Sequence, residues 1–343
     1  MKGNIIVGQS GGPTAAINSS LAGVYRTAID RGAKKVYGMR HGIQGLLNED
    51  YIDLSEHIQT DLDVELLKRT PAAYLGSCRY KLPEIHEDIA TYDKIFSILD
   101  KLEIECFIYI GGNDSMDTIK KLSDYAILRG HPTKFLGVPK TIDNDLALTD
   151  HTPGYGSAAK YIGTSVKEII QDSQALIYDK GLVTIVEIMG RNAGWLVGAA
   201  ALSKGEDCDG PDLIYVPELP FDIDNFLVRI KELLAEKTFV VVAVSEGIRL
   251  ADGRYVCELT DGVDFVDAFG HKQLTGTANY LARRLAQEIG CKTRTIELSS
   301  MQRAASHLAS RIDILEAFQV GGAAVKAADE GDTGEMVVIK RLS

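Results

Sequence analysis

Two short apolar runs, Cys106-Phe107-Ile108-Tyr109-Ile110 and Phe135-Leu136-Gly137-Val138, each stop abruptly at a polar block. Runs of this length bounded by Gly or Pro read as strands buried on both faces. A strand buried on both faces needs a covering layer on each side. Helix-like stretches do separate strand-like ones along the chain. Ile5–Val7, Lys35–Met39, Leu182–Ile188, Leu213–Val216, Phe239–Val244 and Arg294–Leu298 read as further strands. Helices are predicted from near Thr14, over Glu84–Lys101, over Lys160–Gln174 and over the small, apolar stretch Asn192–Leu202. This alternation predicts an α/β chain with mainly parallel sheets and helices on both faces. The polar blocks then fall at the carboxyl ends of neighbouring strands, where open α/β sheets bind ligands.

At 343 residues the chain is too long for one small core, and two lobes are expected. No Pro/Ser-rich linker separates them, so the chain is expected to cross between lobes more than once. The net charge of −11 argues against a nucleic-acid surface, which would be basic. It leaves an anionic substrate open, because such binding depends on local lysines and arginines. No apolar run reaches the roughly 18 residues of a membrane span. The N-terminus leads straight into Ile5-Ile6-Val7, so no signal peptide is expected. Five dispersed cysteines with no CxxC pair suit reduced thiols, so a cytoplasmic protein is expected.

The block Pro139-Lys140-Thr141-Ile142-Asp143-Asn144-Asp145 carries the most chemistry. An extended segment would put Thr141, Asp143 and Asp145 on one side and Lys140, Ile142 and Asn144 on the other. An acid beside a substrate hydroxyl acts as a general base. A nearby lysine neutralises charge on a transferring phosphoryl group. A plain polar turn would not need a lysine, a threonine and two acids together. Upstream, Gly111-Gly112-Asn113-Asp114-Ser115 offers glycine amides at a helix start and an acid suited to a phosphate-bound cation. Read alone, it is equally a capped turn with Asp114 favouring the helix dipole. Ser10-Gly11-Gly12-Pro13-Thr14 has the same geometry and by itself reads as an ordinary βα turn capped by Ser10 or Thr14. It is not a Walker A loop. Arg79, Arg191, Arg294 and Arg303 are candidate grips for anionic ligands. Glu246, at the end of a strand-like run, either holds sugar hydroxyls or caps the next helix.

Taken together and in this order, these blocks resemble the phosphofructokinase family from Asn4 to about Lys340. Gly76-Ser77-Cys78-Arg79, Met189-Gly190-Arg191, Ser245-Glu246-Gly247 and Gln302-Arg303 belong to the same series. The resemblance implies two Rossmann-like α/β sandwich lobes with the active site between them. It places a donor lobe at residues 1–150, completed by about 276–320, and a sugar-phosphate lobe at 151–275. It implies Mg²⁺-dependent phosphoryl transfer to the 1-hydroxyl of fructose 6-phosphate. Asp143 resembles the base, with Lys140 and Asp114 beside it as catalytic groups. Gly11, Gly12, Arg79, Gly112, Asn113 and Ser115 fall on the donor side. Thr141, Ile142, Asp145, Met189, Gly190, Arg191, Glu246, Arg294, Ser300 and Arg303 fall on the sugar side. Asn113, Asp114 and Asp145 are the implied metal group.

Within the family the chain is more similar to the diphosphate-dependent branch than to ATP users. ATP users commonly have glycine where Asp114 and Lys140 stand. The segments Gly76–Lys81 and Asp267–Leu274 are also like that branch. ATP is the alternative donor, and a non-catalytic sensor of the same fold is a second alternative. Asn113 stands where the family often has an aspartate, which leaves the metal role open between Asn113 and Asp114. Leu182 stands where bacterial ATP-type members have an arginine from a neighbouring subunit, and Ser300 where many have histidine or tyrosine. Similar proteins continue beyond Lys340, so a closing C-terminal segment is expected to be missing. A homodimer or homotetramer is expected, with the small-residue stretch Ala193–Ala201 suited to close packing.

Overall fold

A computed structural model describes residues 1–175, 179–259 and 274–342. The strands, in chain order, are β1 (Asn4–Gln9), β2 (Val36–Met39), β3 (Tyr51–Asp53), β4 (Ile104–Gly111), β5 (Lys134–Pro139), β6 (Leu182–Ile188), β7 (Leu213–Tyr215), β8 (Phe239–Ser245), β9 (Lys292–Glu297) and β10 (Glu335–Met336). The helices are α1 (Ile17–Asp30), α2 (Gly42–Leu47), α3 (Asp61–Arg69), α4 (Ile89–Lys101), α5 (Asn113–Arg129), α6 (Tyr155–Gln174), α7 (Trp195–Gly198), α8 (Ile223–Glu236), α9 (Thr277–Glu288), α10 (Met301–Ala304) and α11 (Arg311–Glu330). The fold is α/β with two mainly parallel sheets, each in its own compact unit.

The first unit joins Met1–Ser157 to the stretch from Arg303 onward. Its sheet has the order β10-β5-β4-β1-β2-β3, parallel except for β3, which runs antiparallel to β2. β1 and β4 are almost wholly buried, as expected of strands covered on both faces. One face of the sheet packs Ile5, Val7 and Ile108 against Leu21 and Val24 of α1 and Ala324 and Val325 of α11. The other packs Ile6 and Phe107 against Ile95 and Leu99 of α4 and Leu122 of α5. α11 was not recognisable in the sequence, because Gly321-Gly322 in its middle reads as a breaker. The structure uses that glycine for contact instead. A methyl group at Gly321 would come within 2.1 Å of the Ser20 carbonyl on α1.

The second unit is formed by the chain between those two parts. Its sheet has the order β7-β8-β6-β9 and is parallel throughout. Val183, Ile185, Val240 and Val242 pack against Phe226 and Ile230 of α8 and Leu281 and Leu285 of α9. The stretch expected from residue 276 to complete the first lobe begins in the second, because β9 pairs with β6; the return to the first unit comes at Arg303. Asn192–Leu202, read as one buried helix, is the single turn α7 followed by a 3-10 turn at Ala199–Ser203. Leu196 and Val197 are buried, but Trp195 and Leu202 are 57% and 67% exposed. Glycine at 194 and 198 weakens a longer helix there. Among the described residues, no helix is long and apolar enough to cross a membrane.

Candidate active site

The β1–α1 turn is fixed from beneath by amide side chains. Buried Gln9 donates to Asn18 Oδ1 at 2.8 Å and accepts from the Leu75 amide at 2.9 Å. Asn18 donates to the carbonyls of Thr70 and Ala72, both at 2.9 Å. The loop that ends in Arg79 is thereby laid over the turn. There the Gly11 amide donates to Cys78 O at 3.1 Å and the Ser77 hydroxyl to Gly11 O at 2.5 Å. The amide of Gly11, which the resemblance places on the donor side, is therefore engaged by protein. What Gly11 contributes is its φ of +75° and the space of a missing side chain, since a methyl group there would lie 3.3 Å from Lys140 Nζ. Thr14 caps α1, its hydroxyl accepting from Ala16 and Ile17 amides.

Lys140 follows the last residue of β5 and is only 2% exposed. Its backbone is pinned by donation to Gly111 O at 3.0 Å, and its ammonium donates to the carbonyls of Ser10 and Gly12, both at 2.8 Å. Burial pushes its pKa down to about 7; the charges of Arg303 and Arg79 push the same way, and Asp143 opposes them. The charges of Arg79, Arg303 and Asp143 thus all act on Lys140. Arg303, grouped by sequence with the sugar side, lies in the first unit beside Gly12, where a methyl group would meet its guanidinium at 3.4 Å.

The alternation expected for residues 140–145 does not occur. β5 ends at Pro139, and Asn144 adopts a left-handed φ of 54°, which turns the chain. The turn is held by two side chains. Thr141 Oγ1 accepts from the Asp143 amide at 3.1 Å, and Asn144 Oδ1 accepts from the Thr152 amide at 2.9 Å. Asp145 reaches Asn113, whose Nδ2 donates to Oδ2 at 3.0 Å. Burial raises the Asp145 pKa, and the charge of Asp114 raises it further against the hydrogen bonds from Asn113 and Thr141. The charge of Asp114 makes ionised Asp145 costlier, and a hard divalent cation would relieve that cost. Among the described residues no group of three or more His, Cys, Asp or Glu could hold a metal by itself. A pair of carboxylates, with phosphate oxygens and water completing the shell, is the arrangement that fits Mg²⁺. Asn113 spends its Nδ2 as donor to Asp145 and keeps its Oδ1 as an acceptor. Ser115 is buried against Gly111 at the start of α5.

In the second unit, Met189, Gly190 and Arg191 leave the carboxyl end of β6, and Glu246 leaves that of β8. The two turns are interlocked. Ser245 Oγ donates to Gly190 O at 2.6 Å, the Gly190 amide donates to Glu246 Oε1 at 3.4 Å, and the Glu246 amide donates to Ile188 O at 2.9 Å. A methyl group at Gly247 would fall 2.0 Å from the Arg191 carbonyl, so glycine is required for this approach. Gln302 Oε1 accepts from the Met189 amide at 3.4 Å and is part of the same end of the sheet. Arg294 is not. On β9 it sits opposite Thr184, four residues back from the end of β6 at Ile188 and so about 13 Å along the sheet, and its Nη1 meets Asp172 Oδ2 at 2.6 Å. Ser300 lies exposed in the turn after β9, following Ser299 at a φ of 44°. The expected segment Asp267–Leu274 lies, up to Gln273, outside the described residues.

Buried Glu187, two residues before Met189, drew no notice in the sequence. It accepts from the Ala278 amide at 2.8 Å at the start of α9, and burial, with Glu297 adding, raises its pKa to about 7. Its only sequence signal is an acid inside an otherwise apolar strand.

Residues 4–328 match the phosphofructokinase family. The pyrophosphate–fructose 6-phosphate 1-phosphotransferase of Xanthomonas campestris pv. campestris (strain B100) is 43% identical over 341 residues, 99% of this chain and 80% of that protein. The protein of the same name from Halomonas elongata is 40% identical over 342 residues, again 99% of this chain and 80% of the relative. Among solved structures, the pyrophosphate-dependent phosphofructokinase of Nitrosospira multiformis superposes with a TM-score of 0.87 at 34% identity, covering all of this chain and 80% of that one. Fold, ordered strand-end blocks and full-length similarity agree: the chain belongs to the phosphofructokinase family.

Proposed function

We propose that the chain transfers a phosphoryl group from diphosphate to the 1-hydroxyl of fructose 6-phosphate, breaking the P–O–P bridge and giving fructose 1,6-bisphosphate and orthophosphate. The observation that carries this reading is Lys140, a buried ammonium aimed at the β1–α1 turn, with Arg79, Arg303 and Asp143 acting on its charge. Such a cluster suits a short donor carrying all its charge in one place, and the names of the relatives agree. The first unit takes the donor and the second the sugar phosphate, through Arg191, Glu246 and their neighbours.

Asp143 removes the proton of the 1-hydroxyl as the oxygen attacks the phosphoryl group. Lys140 and Arg79 neutralise the charge that develops on the phosphoryl oxygens, a task that needs positioning more than covalent chemistry. Asp114 and Asp145 would hold a Mg²⁺ ion, which supplies further neutralisation of the donor phosphates. The Asp114 carboxylate repels the inner phosphate of a nucleotide, favouring diphosphate over ATP. Arg294, turned outward on the edge strand β9, suits a sugar phosphate offered to it by a second copy in a homodimer or larger assembly. The five cysteines are all free thiols, which suits a cytoplasmic setting.

The base is tested by Asp143→Asn, assayed with diphosphate, fructose 6-phosphate and Mg²⁺. kcat is expected to fall by roughly 10²- to 10⁴-fold with the fructose 6-phosphate KM little changed. Near-normal turnover would remove Asp143 from the role.

A further inference from the structure

Asp313 belongs to no motif and lies far in sequence from the reacting groups, yet it closes a chain of hydrogen bonds that begins at Asp143. It stands in the first turn of α11 and is 3% exposed. Its Oδ1 accepts from the Gly154 amide at 2.8 Å, and its Oδ2 accepts from the Ser157 amide at 2.9 Å and the Ser157 hydroxyl at 2.5 Å. Ser157 Oγ in turn accepts from the Ser310 amide at 3.1 Å. One carboxylate and one hydroxyl thus tie the starts of α6 and α11 together, where both helix dipoles favour a negative charge.

The segment just ahead of α6 carries this fixation to the site. The Thr141 amide donates to Pro153 O at 3.2 Å, and Thr141 and Gly154 form a parallel bridge. The fully buried Thr152 donates through its hydroxyl to Thr141 O and through its amide to Asn144 Oδ1, both at 2.9 Å. The second of these bonds holds Asn144 in its left-handed turn and so sets the direction of Asp143. Gly154, at a φ of +106°, also packs on Thr14 of the β1–α1 turn, where a methyl group would come within 3.0 Å of Thr14 Cγ2. Gly154 is therefore in contact with both Thr141 and the β1–α1 turn, and Asp313 fixes its amide.

We infer that Asp313 is a positioning residue for phosphoryl transfer, setting the Thr141–Asn144 turn, and with it Asp143, through Gly154 and Thr152. The inference rests on the reading of Asp143 as the base. Asp313→Asn keeps the shape but turns an amide donor toward two donors of Ser157, or toward Gly154. With wild-type turnover of diphosphate and fructose 6-phosphate as the reference, kcat is expected to fall roughly 10- to 100-fold, the usual consequence of a misplaced reacting group, while both KM values change less than about threefold. Thr152→Val, which removes the hydroxyl bond to Thr141, is expected to lower kcat in the same manner. The double variant is expected to fall well short of the product of the two effects, because both act on one turn. Independent, multiplying effects on kcat, or a folded Asp313→Asn variant within twofold of wild type, would overturn the inference. If Asp313→Asn does not fold, Ser157→Ala decides: a lower kcat at unchanged KM supports the link, and unchanged kcat refutes it. A wild type without diphosphate turnover would instead refute the functional reading itself.

Discussion

The two units handle charge in opposite ways. In the first, Lys140 is buried, pinned to two carbonyls and pushed down to a pKa of about 7 before any ligand arrives. In the second, the candidate sugar-side residues are held by backbone contacts at Gly190 and Gly247, while Arg294 is half a sheet away with Asp172. A preplaced, desolvated amine that gains its proton as an anion arrives suits stabilisation of charge that develops during reaction, because its position needs no reorganisation at that moment. The backbone-built end of the second sheet suits recognition of a ligand's shape and hydroxyls. On the proposed function, this contrast predicts that changes in the first unit act on rate and changes in the second on affinity.

The largest expected effect that would break this contrast is on Lys140. Lys140→Met is expected to lower kcat with diphosphate by roughly 10²-fold or more, the scale of losing a preorganised electrostatic group. The same variant tests its titration. With a pKa near 7 the lysine is mostly neutral at pH 8, and an anion beside it favours the charged form. Diphosphate binding at pH 8 is therefore expected to take up as much as about one proton, seen by calorimetry in buffers of different ionisation heat, and Lys140→Met is expected to abolish that uptake. The sign for stability follows from the same depression. Between about pH 7 and the ordinary lysine value of about 10.4, the unfolded chain binds the extra proton, so the ligand-free protein gains stability as pH rises through this window. Uptake that persists in Lys140→Met would place the titrating group elsewhere.

A smaller effect sharpens the other side. Arg294→Ala is expected to raise the KM for fructose 6-phosphate about tenfold with kcat nearly unchanged, the worth of one charge-assisted contact. Its exposed pair with Asp172 contributes at most about 1 kcal/mol to stability, so the thermal midpoint is expected to move little. An unchanged KM would leave Arg294 as a partner of Asp172 alone and reduce the sugar side to Arg191, Glu246 and their neighbours.

What was legible in the sequence follows from the range of the forces involved. Strands such as β4 and β5 are announced by short apolar runs with glycine or proline beside them, and the polar blocks at their ends follow from that placement. The direction of each side chain was not legible. Asn144 turns because Thr152, eight residues on, donates to it, and no alternation rule contains that bond. The Gly11 amide is engaged by Cys78, and Lys140 reaches back to Ser10 and Gly12, contacts that close only when the sheet has formed. α11 was hidden by the glycine pair that lets it lie against α1.

The central claim is that a site built around Asp114 and Lys140 takes diphosphate and rejects ATP. The direct measurement is kcat/KM for each donor, side by side, with purified protein, fructose 6-phosphate and Mg²⁺, repeated with Asp114→Gly. Mg²⁺-dependent turnover with diphosphate, little or none with ATP, and some ATP binding in Asp114→Gly are expected. A wild-type protein that prefers ATP by kcat/KM would contradict the account while leaving the family assignment intact.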